Sequence, residues 1–142
     1  VRSTGYSTAC ISRLLFTAAG GAALLSAAGC GGSRVERYDV SGTVTYDGQP
    51  IPLGQIMFQP DTSRGNTGPA GVAKIEHGRF DTRGSEKGTV GGPHRIIITG
   101  YDGKIDIDRE LPAGAALFDE YEASADLPEE DSTLNIDVPK DG

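Results

Sequence analysis

Beyond its first thirty residues the chain reads as all-β, a β-sandwich of about seven short strands. Three observations predict this. Short runs in which apolar and polar residues alternate recur along it, and turn formers separate them. β-Branched residues dominate the runs, as in His94 to Thr99 with Ile96, Ile97 and Ile98 in succession. Aromatics are only 6% of residues and tryptophan is absent, so the core is left to Ile, Val and Leu with Tyr46, Phe58 and Phe80. A domain of roughly 110 residues buries enough surface for such a core to hold without staples.

The elements follow in order. In Val40 to Tyr46, Val40, Val44 and Tyr46 share one face, while Ser41, Thr43 and Thr45 share the other. Asp47 and Gly48 mark a tight turn. Pro50 and Pro52 keep the next residues out of regular pairing. Gly54 to Pro60 is a second strand with Ile56 and Phe58 inward. Asp61 to Pro69 is polar and rich in turn formers, hence a loop. Ala70 to Glu76 and Arg79 to Arg83 flank His77 and Gly78 as a hairpin, with Val72, Ile75 and Phe80 as core residues. The spacing from Val72 to Ile75 breaks alternation and predicts a bulge.

Gly84 to Pro93 is a second loop. The isoleucine run after it predicts a central strand covered on both faces, or nearly so. Ile105 and Ile107 alternate with Asp106 and Asp108, the pattern of a short edge strand guarded by charge. Leu111 to Asp131 is the irregular, acidic part. A short helix is expected within 113–121, near 115–121, with Leu117 and Tyr121 on one side at i, i+4. Thr133 to Val138 is the last strand, with Leu134, Ile136 and Val138 inward.

The start of the chain has a different composition. Arg2 and Arg13 stand there without any acidic residue, and Leu14 to Ala28 is wholly apolar or small. That run is about fifteen residues, short of the ~20 that a spanning helix needs. A basic region, an apolar stretch and small residues make a secretory signal peptide over residues 1–29. The stretch Leu25, Ser26, Ala27, Ala28, Gly29, Cys30 looks like a bacterial lipobox. The resemblance implies lipidation of Cys30 after cleavage before it. Residues 30–37 then form the lipidated cysteine and a flexible tether, and 38–142 the folded domain. The resemblance implies a diacylglyceryl group on the thiol and usually acylation of the new N-terminus as well, and two or more acyl chains hold firmly. Gly31 in place of an aspartate favours the outer over the inner membrane, by resemblance to the sorting rule of Gram-negative lipoproteins.

Loss of Arg2 and Arg13 leaves 11 basic residues against 20 acidic ones, a net charge of −9 in place of −7. That balance argues against nucleic acid as a partner. Cys10 leaves with the signal as well, so Cys30 is the one remaining thiol and no intrachain disulfide forms.

The segment VSGTVTYDGQPIPLGQIMFQP (Val40 to Pro60) resembles the opening of transthyretin-like, carboxypeptidase regulatory-like domains. HGRFDT (His77 to Thr82) resembles their Asp-Gly-x-Phe hairpin, with His77 in place of the aspartate. GGPHRIIITG (Gly91 to Gly100) resembles their Gly-x-Tyr-x-Val strand, with His94 at the tyrosine. The segment from Leu117 to Val138 is similar to the closing part of small secreted bacterial lipoproteins of this kind. The resemblance implies a Greek-key sandwich used as an accessory module for protein or carbohydrate. Fold alone does not fix function.

No residue pattern supplies catalysis. There is no Gly-x-Ser-x-Gly elbow and no spare thiol. The Tyr-Arg-Gly-Ser ending of transthyretin-fold hydroxyisourate hydrolases is replaced by Pro139, Lys140, Asp141 and Gly142. Asp102, Asp106 and Asp108 near Gly103 are weak candidates for calcium, but their spacing is not that of an EF-hand, and the favoured reading is a solvated acidic edge. His77 and His94 are too few and too far apart to argue for zinc. No cofactor is expected. The sequence is thus read as a non-enzymatic envelope lipoprotein with a structural or protein-interaction module. The alternative is a carbohydrate-binding accessory domain, and a transthyretin-fold hydrolase stands third. The loops 61–69 and 84–93 are the places to look for binding.

Overall fold

Residues 35–140 are described by the computed structural model. The proposed signal peptide, Cys30 and the first part of the tether lie outside these residues. Eight strands form: β1 (Val40–Tyr46), β2 (Gln49–Pro50), β3 (Leu53–Pro60), β4 (Gly71–Glu76), β5 (Arg79–Asp81), β6 (Gly92–Tyr101), β7 (Tyr121–Leu127) and β8 (Ser132–Val138). Two short 3-10 turns, Thr62–Arg64 and Thr82–Ser85, follow β3 and β5. The class is all-β, a curled sheet in the order β8, β1, β5, β4, β3, β6, β7. The two-residue β2 lies beside the end of β1. Every pairing is antiparallel except that of β1 with β8, which runs parallel from Val40↔Ser132 to Tyr46↔Val138.

The inward faces merge into one core of Val40, Val44, Ile51, Ile56, Phe58, Ala73, Ile75, Phe80, Ile96, Ile98, Leu127 and Val138. Phe58 and Phe80 touch at 5.8 Å between ring centroids. Both expected tight turns form. Asp47 and Gly48, and likewise His77 and Gly78, have positive φ at both central positions. That geometry matches the right-handed twist of the flanking strands, and Gly tolerates it at no steric cost.

Four expectations are corrected. The chain from Gly71 alternates without a bulge, so Ala73 and Ile75 point inward and Val72 is only half-buried. No helix occupies 113–121. The residues there form bends, with a bridge from Tyr101 to Ala116, and Tyr121 begins β7. The pair Leu117 and Tyr121 packs against the core from an irregular backbone and a strand end. Residues 105–108 are not a strand. Asp106 bridges to Leu111 across a turn over 107–110. Finally, Ile97 is half-buried while Ile96 and Ile98 are inward, so β6 is central in the sheet but keeps its alternation.

β7 was hidden in the acidic segment. Its alternation is complete, with Tyr121, Ala123, Ala125 and Leu127 turned in and Glu122, Ser124 and Asp126 turned out. Alanine and acidic residues have low strand propensity, and pairing with β6 over seven positions overrides it. Ile51, fully buried between two prolines, is likewise a core residue that the turn signals masked.

Candidate functional site

A concavity of about 860 Å³ lies on the outer face of β8, β1, β5 and β4. The register explains its composition. Asn135, Thr43, Arg79 and Glu76 form one row across the four strands. Thr133, Ser41 and Asp81 begin the next row, with Lys74 lining its β4 side. One half of the groove is therefore hydroxyl and amide, and the other half is charged. The groove opens because the β4–β5 ladder stops after Glu76↔Arg79. The chain then turns through Thr82–Ser85, where the Ser85 hydroxyl lies within hydrogen-bonding reach of the Val72 and Thr82 carbonyls and ties the turn to β4.

Hydrogen bonding inside the groove decides which groups stay available. Asn135 Oδ1 accepts from Thr43 N at 3.1 Å and from Thr43 Oγ1 at 2.8 Å, so its amide nitrogen remains a donor. Asp81 Oδ1 accepts from Arg83 N at 2.9 Å, capping the 3-10 turn, and lies 3.7 Å from Arg83 Nε. Neither Lys74 nor Arg79 makes an ion pair with any described residue.

A second concavity, about 630 Å³, lies in the connection between β6 and β7 and contains the three calcium candidates. Two of the three carboxylates serve the backbone. Asp102 Oδ1 accepts from Lys104 N and Ala115 N, both at 3.0 Å. Asp106 Oδ1 accepts from Arg109 N at 3.1 Å, and its other oxygen lies 3.6 Å from Arg109 Nε. Asp108 is exposed in the turn. Among the described residues no group of three or more His, Cys, Asp or Glu side chains is placed to hold a metal ion. The same connection exposes Ile105 and Ile107, 70% and 85% accessible.

The loops 61–69 and 84–93 meet each other. Asn66 Nδ2 donates to the Gly91 carbonyl at 2.9 Å and to the Pro93 carbonyl at 2.8 Å. Asp61 begins the first loop and accepts from Ser63 N and Ser63 Oγ. The Ser63 hydroxyl holds its carboxyl below the ordinary aspartate range, against an opposing effect of burial. On β6, the hydrogen bond from Arg95 to Glu122 at 2.6 Å raises the guanidinium further still. Loss of hydration and the nearby charges of Glu36 and Glu129 push the Tyr38 phenol up. The two histidines stand apart. His77 is in the β4–β5 turn, while His94 is wholly buried, with Nδ1 2.9 Å from the Gly92 carbonyl and Nε2 without a partner among the described residues.

Neither a scan against protein-family models nor a search of curated proteins gives a match. The groove was not foreseen. Its outward residues were readable by alternation in each strand, but the parallel pairing of β1 with β8 that sets them side by side carries no local signal.

Proposed function

We propose that this chain is an exported bacterial lipoprotein, anchored through Cys30 and displaying a non-enzymatic interaction module at the cell envelope, with the outer membrane favoured. The observation that carries the reading is the lipobox-like stretch from Leu25 to Cys30, followed within ten residues by β1 of an all-β domain. Gly31, Gly32 and Ser33 between the two have the composition of a linker. The finer fold belongs to the same reading. The curled sheet is taken as a Greek-key, transthyretin-like sandwich, with β8, β1, β5 and β4 in one layer and β3, β6 and β7 in the other. Contact of Phe58 on β3 with Phe80 on β5 supports two facing layers.

The test is intact-mass analysis of the chain extracted from membranes, beside a Cys30→Ser variant. The expected wild-type product starts at Cys30 and carries acyl mass, and the variant loses both. An unlipidated wild-type chain cut near Ala28 would refute the anchor and leave a secreted module.

A further inference from the structure

We propose that the outer edge of β8 is a docking site for an extended basic segment of another protein, which adds to the sheet as a further strand. β8 ends the sheet, and β1 is its one partner strand among the described residues. The bonds to β1 fix which backbone groups are used. Ser132 N donates to the Asp39 carbonyl, and the Val138 carbonyl accepts from Asp47 N. The even-numbered residues of β8 thus turn their backbone toward β1. By alternation the N–H and C=O groups of Thr133, Asn135 and Asp137 point away from it. No loop backbone among the described residues bonds to them. Such a row of free donors and acceptors is a template for another strand.

Edge strands are ordinarily guarded by lysines, prolines, bulges or charges set on the edge. β8 has no lysine, proline or bulge. It pairs in unbroken register over seven residues, and Pro139 comes only after its end. Its polar side chains are drawn back from the edge. Asn135 Oδ1 accepts from Thr43 N and Thr43 Oγ1, and Asp137 Oδ1 accepts from Thr45 Oγ1 and Gly48 N, all on the β1 side. On the inner face Leu134 and Ile136 pack on the core yet stay half-buried, so an added strand has apolar surface to cover. Charge selects the occupant. Between residues 129 and 140, Glu129, Glu130, Asp131 and Asp137 stand against Lys140 alone, and Lys140 is taken by Asp47. A second copy would bring two acidic edges together. A segment that alternates apolar residues with Lys or Arg meets Leu134 and Ile136 on one face and the acids on the other. The proposal rests on the reading of the domain as an interaction module. Lipidation is read by mass and edge pairing by hydrogen exchange, so either can fail alone.

The experiment is calorimetric titration and hydrogen exchange of the full chain with an alternating lysine–valine heptapeptide. Its glutamate–valine counterpart and its fully N-methylated form are the comparison ligands. The lysine peptide is expected to bind, to bind more weakly as salt is raised, and to slow exchange at Thr133, Asn135 and Asp137. Thr133→Pro removes one free N–H and should weaken binding about tenfold or more. Pairing with β1 does not use that N–H, so unchanged circular dichroism is expected. The double variant Glu129→Lys, Glu130→Lys, at two exposed positions, should weaken binding about threefold through charge alone and keep the fold. Lack of binding at millimolar concentration would overturn the proposal. So would equal binding of either comparison peptide, indifference to both variants, or protection confined to β7. Self-association of the free chain that protects the same three amides would also overturn it, and would make a second copy the occupant.

Discussion

The groove on β1 and the connection between β6 and β7 contain similar residues and use them in opposite ways. Both have acidic residues beside a lysine and an arginine, Glu76 and Asp81 in the groove and three aspartates in the connection. In the connection the aspartates are bound inward. Asp102 and Asp106 accept backbone N–H groups and close turns where no ladder exists to satisfy them. On the groove face the ladders satisfy most of the β1 backbone, with the Thr43 N–H taken by Asn135 Oδ1, so fewer side chains are needed to cap it. Regular pairing thus frees polar side chains, and irregular backbone takes them up. That is why three clustered aspartates in the sequence pointed to a cation while the structure makes two of them turn caps.

If the contrast is correct, the groove should fail when the β1–β8 ladder fails. Gly42 is the point to strike. A Cβ built there would stand 1.7 Å from the Leu134 carbonyl oxygen, a backbone atom that cannot move without parting the two strands. Gly42→Ala is expected to cost about 3 kcal/mol or more, in the upper range for single substitutions. Urea denaturation measures it, and a loss under 1 kcal/mol would mean that the close approach of β1 and β8 is not real.

The strands were legible where alternation was written in β-formers. β1, β3, β6 and β8 could be placed from Val40 and Val44, Ile56 and Phe58, the isoleucine run, and Leu134 to Val138. The Asp-Gly and His-Gly turns were legible because few residues other than glycine accept the second central position. β7 was not, since its alanines and acids belong to a strand only through β6. The groove was less legible still. Thr43 and Asn135, joined by two hydrogen bonds, lie 92 positions apart, and nothing local joins them. The exposed half of the candidate site follows from topology, whereas the sequence specifies mainly the buried face.

The connection should break differently. Asp102→Ala leaves the Lys104 and Ala115 N–H groups without their acceptor. A loss of about 1–2 kcal/mol is expected, as for other capping side chains. Hydrogen exchange should quicken between Gly103 and Ala115 and stay unchanged in β1 and β8. Uniform quickening across the sheet would contradict the separation of the two regions.

Asp61 extends the same logic to the loop after β3. Its folded carboxyl titrates below the ordinary value, chiefly through the Ser63 hydroxyl. The stability it contributes is therefore fully present above the unfolded aspartate range, near pH ~4, and is lost as pH falls through the depressed folded value. Asp61→Asn should lower the urea midpoint at pH 6 and flatten its decline between pH 5 and 2. Ser63→Ala should do the same in part. An acid limb as steep in Asp61→Asn as in the wild type would assign acid sensitivity to other carboxyls.

The smallest effect is expected where apolar side chains are most exposed. Ile105 and Ile107 stand at the tip of the connection, and their removal from water on folding is slight. The backbone around them is held by other groups. Asp106 N donates to the Leu111 carbonyl at 3.1 Å, and Leu111 N returns the bond at 2.8 Å. The double variant Ile105→Ser, Ile107→Ser should then change stability by no more than about 0.5 kcal/mol, because little transfer free energy is at stake. It should also leave the exchange pattern of the tip intact, since the turn is fixed by Asp102 and Asp106 and not by apolar contact. A loss above 1 kcal/mol would show that the two isoleucines pack on the domain, and that the connection draws on burial as the strands do.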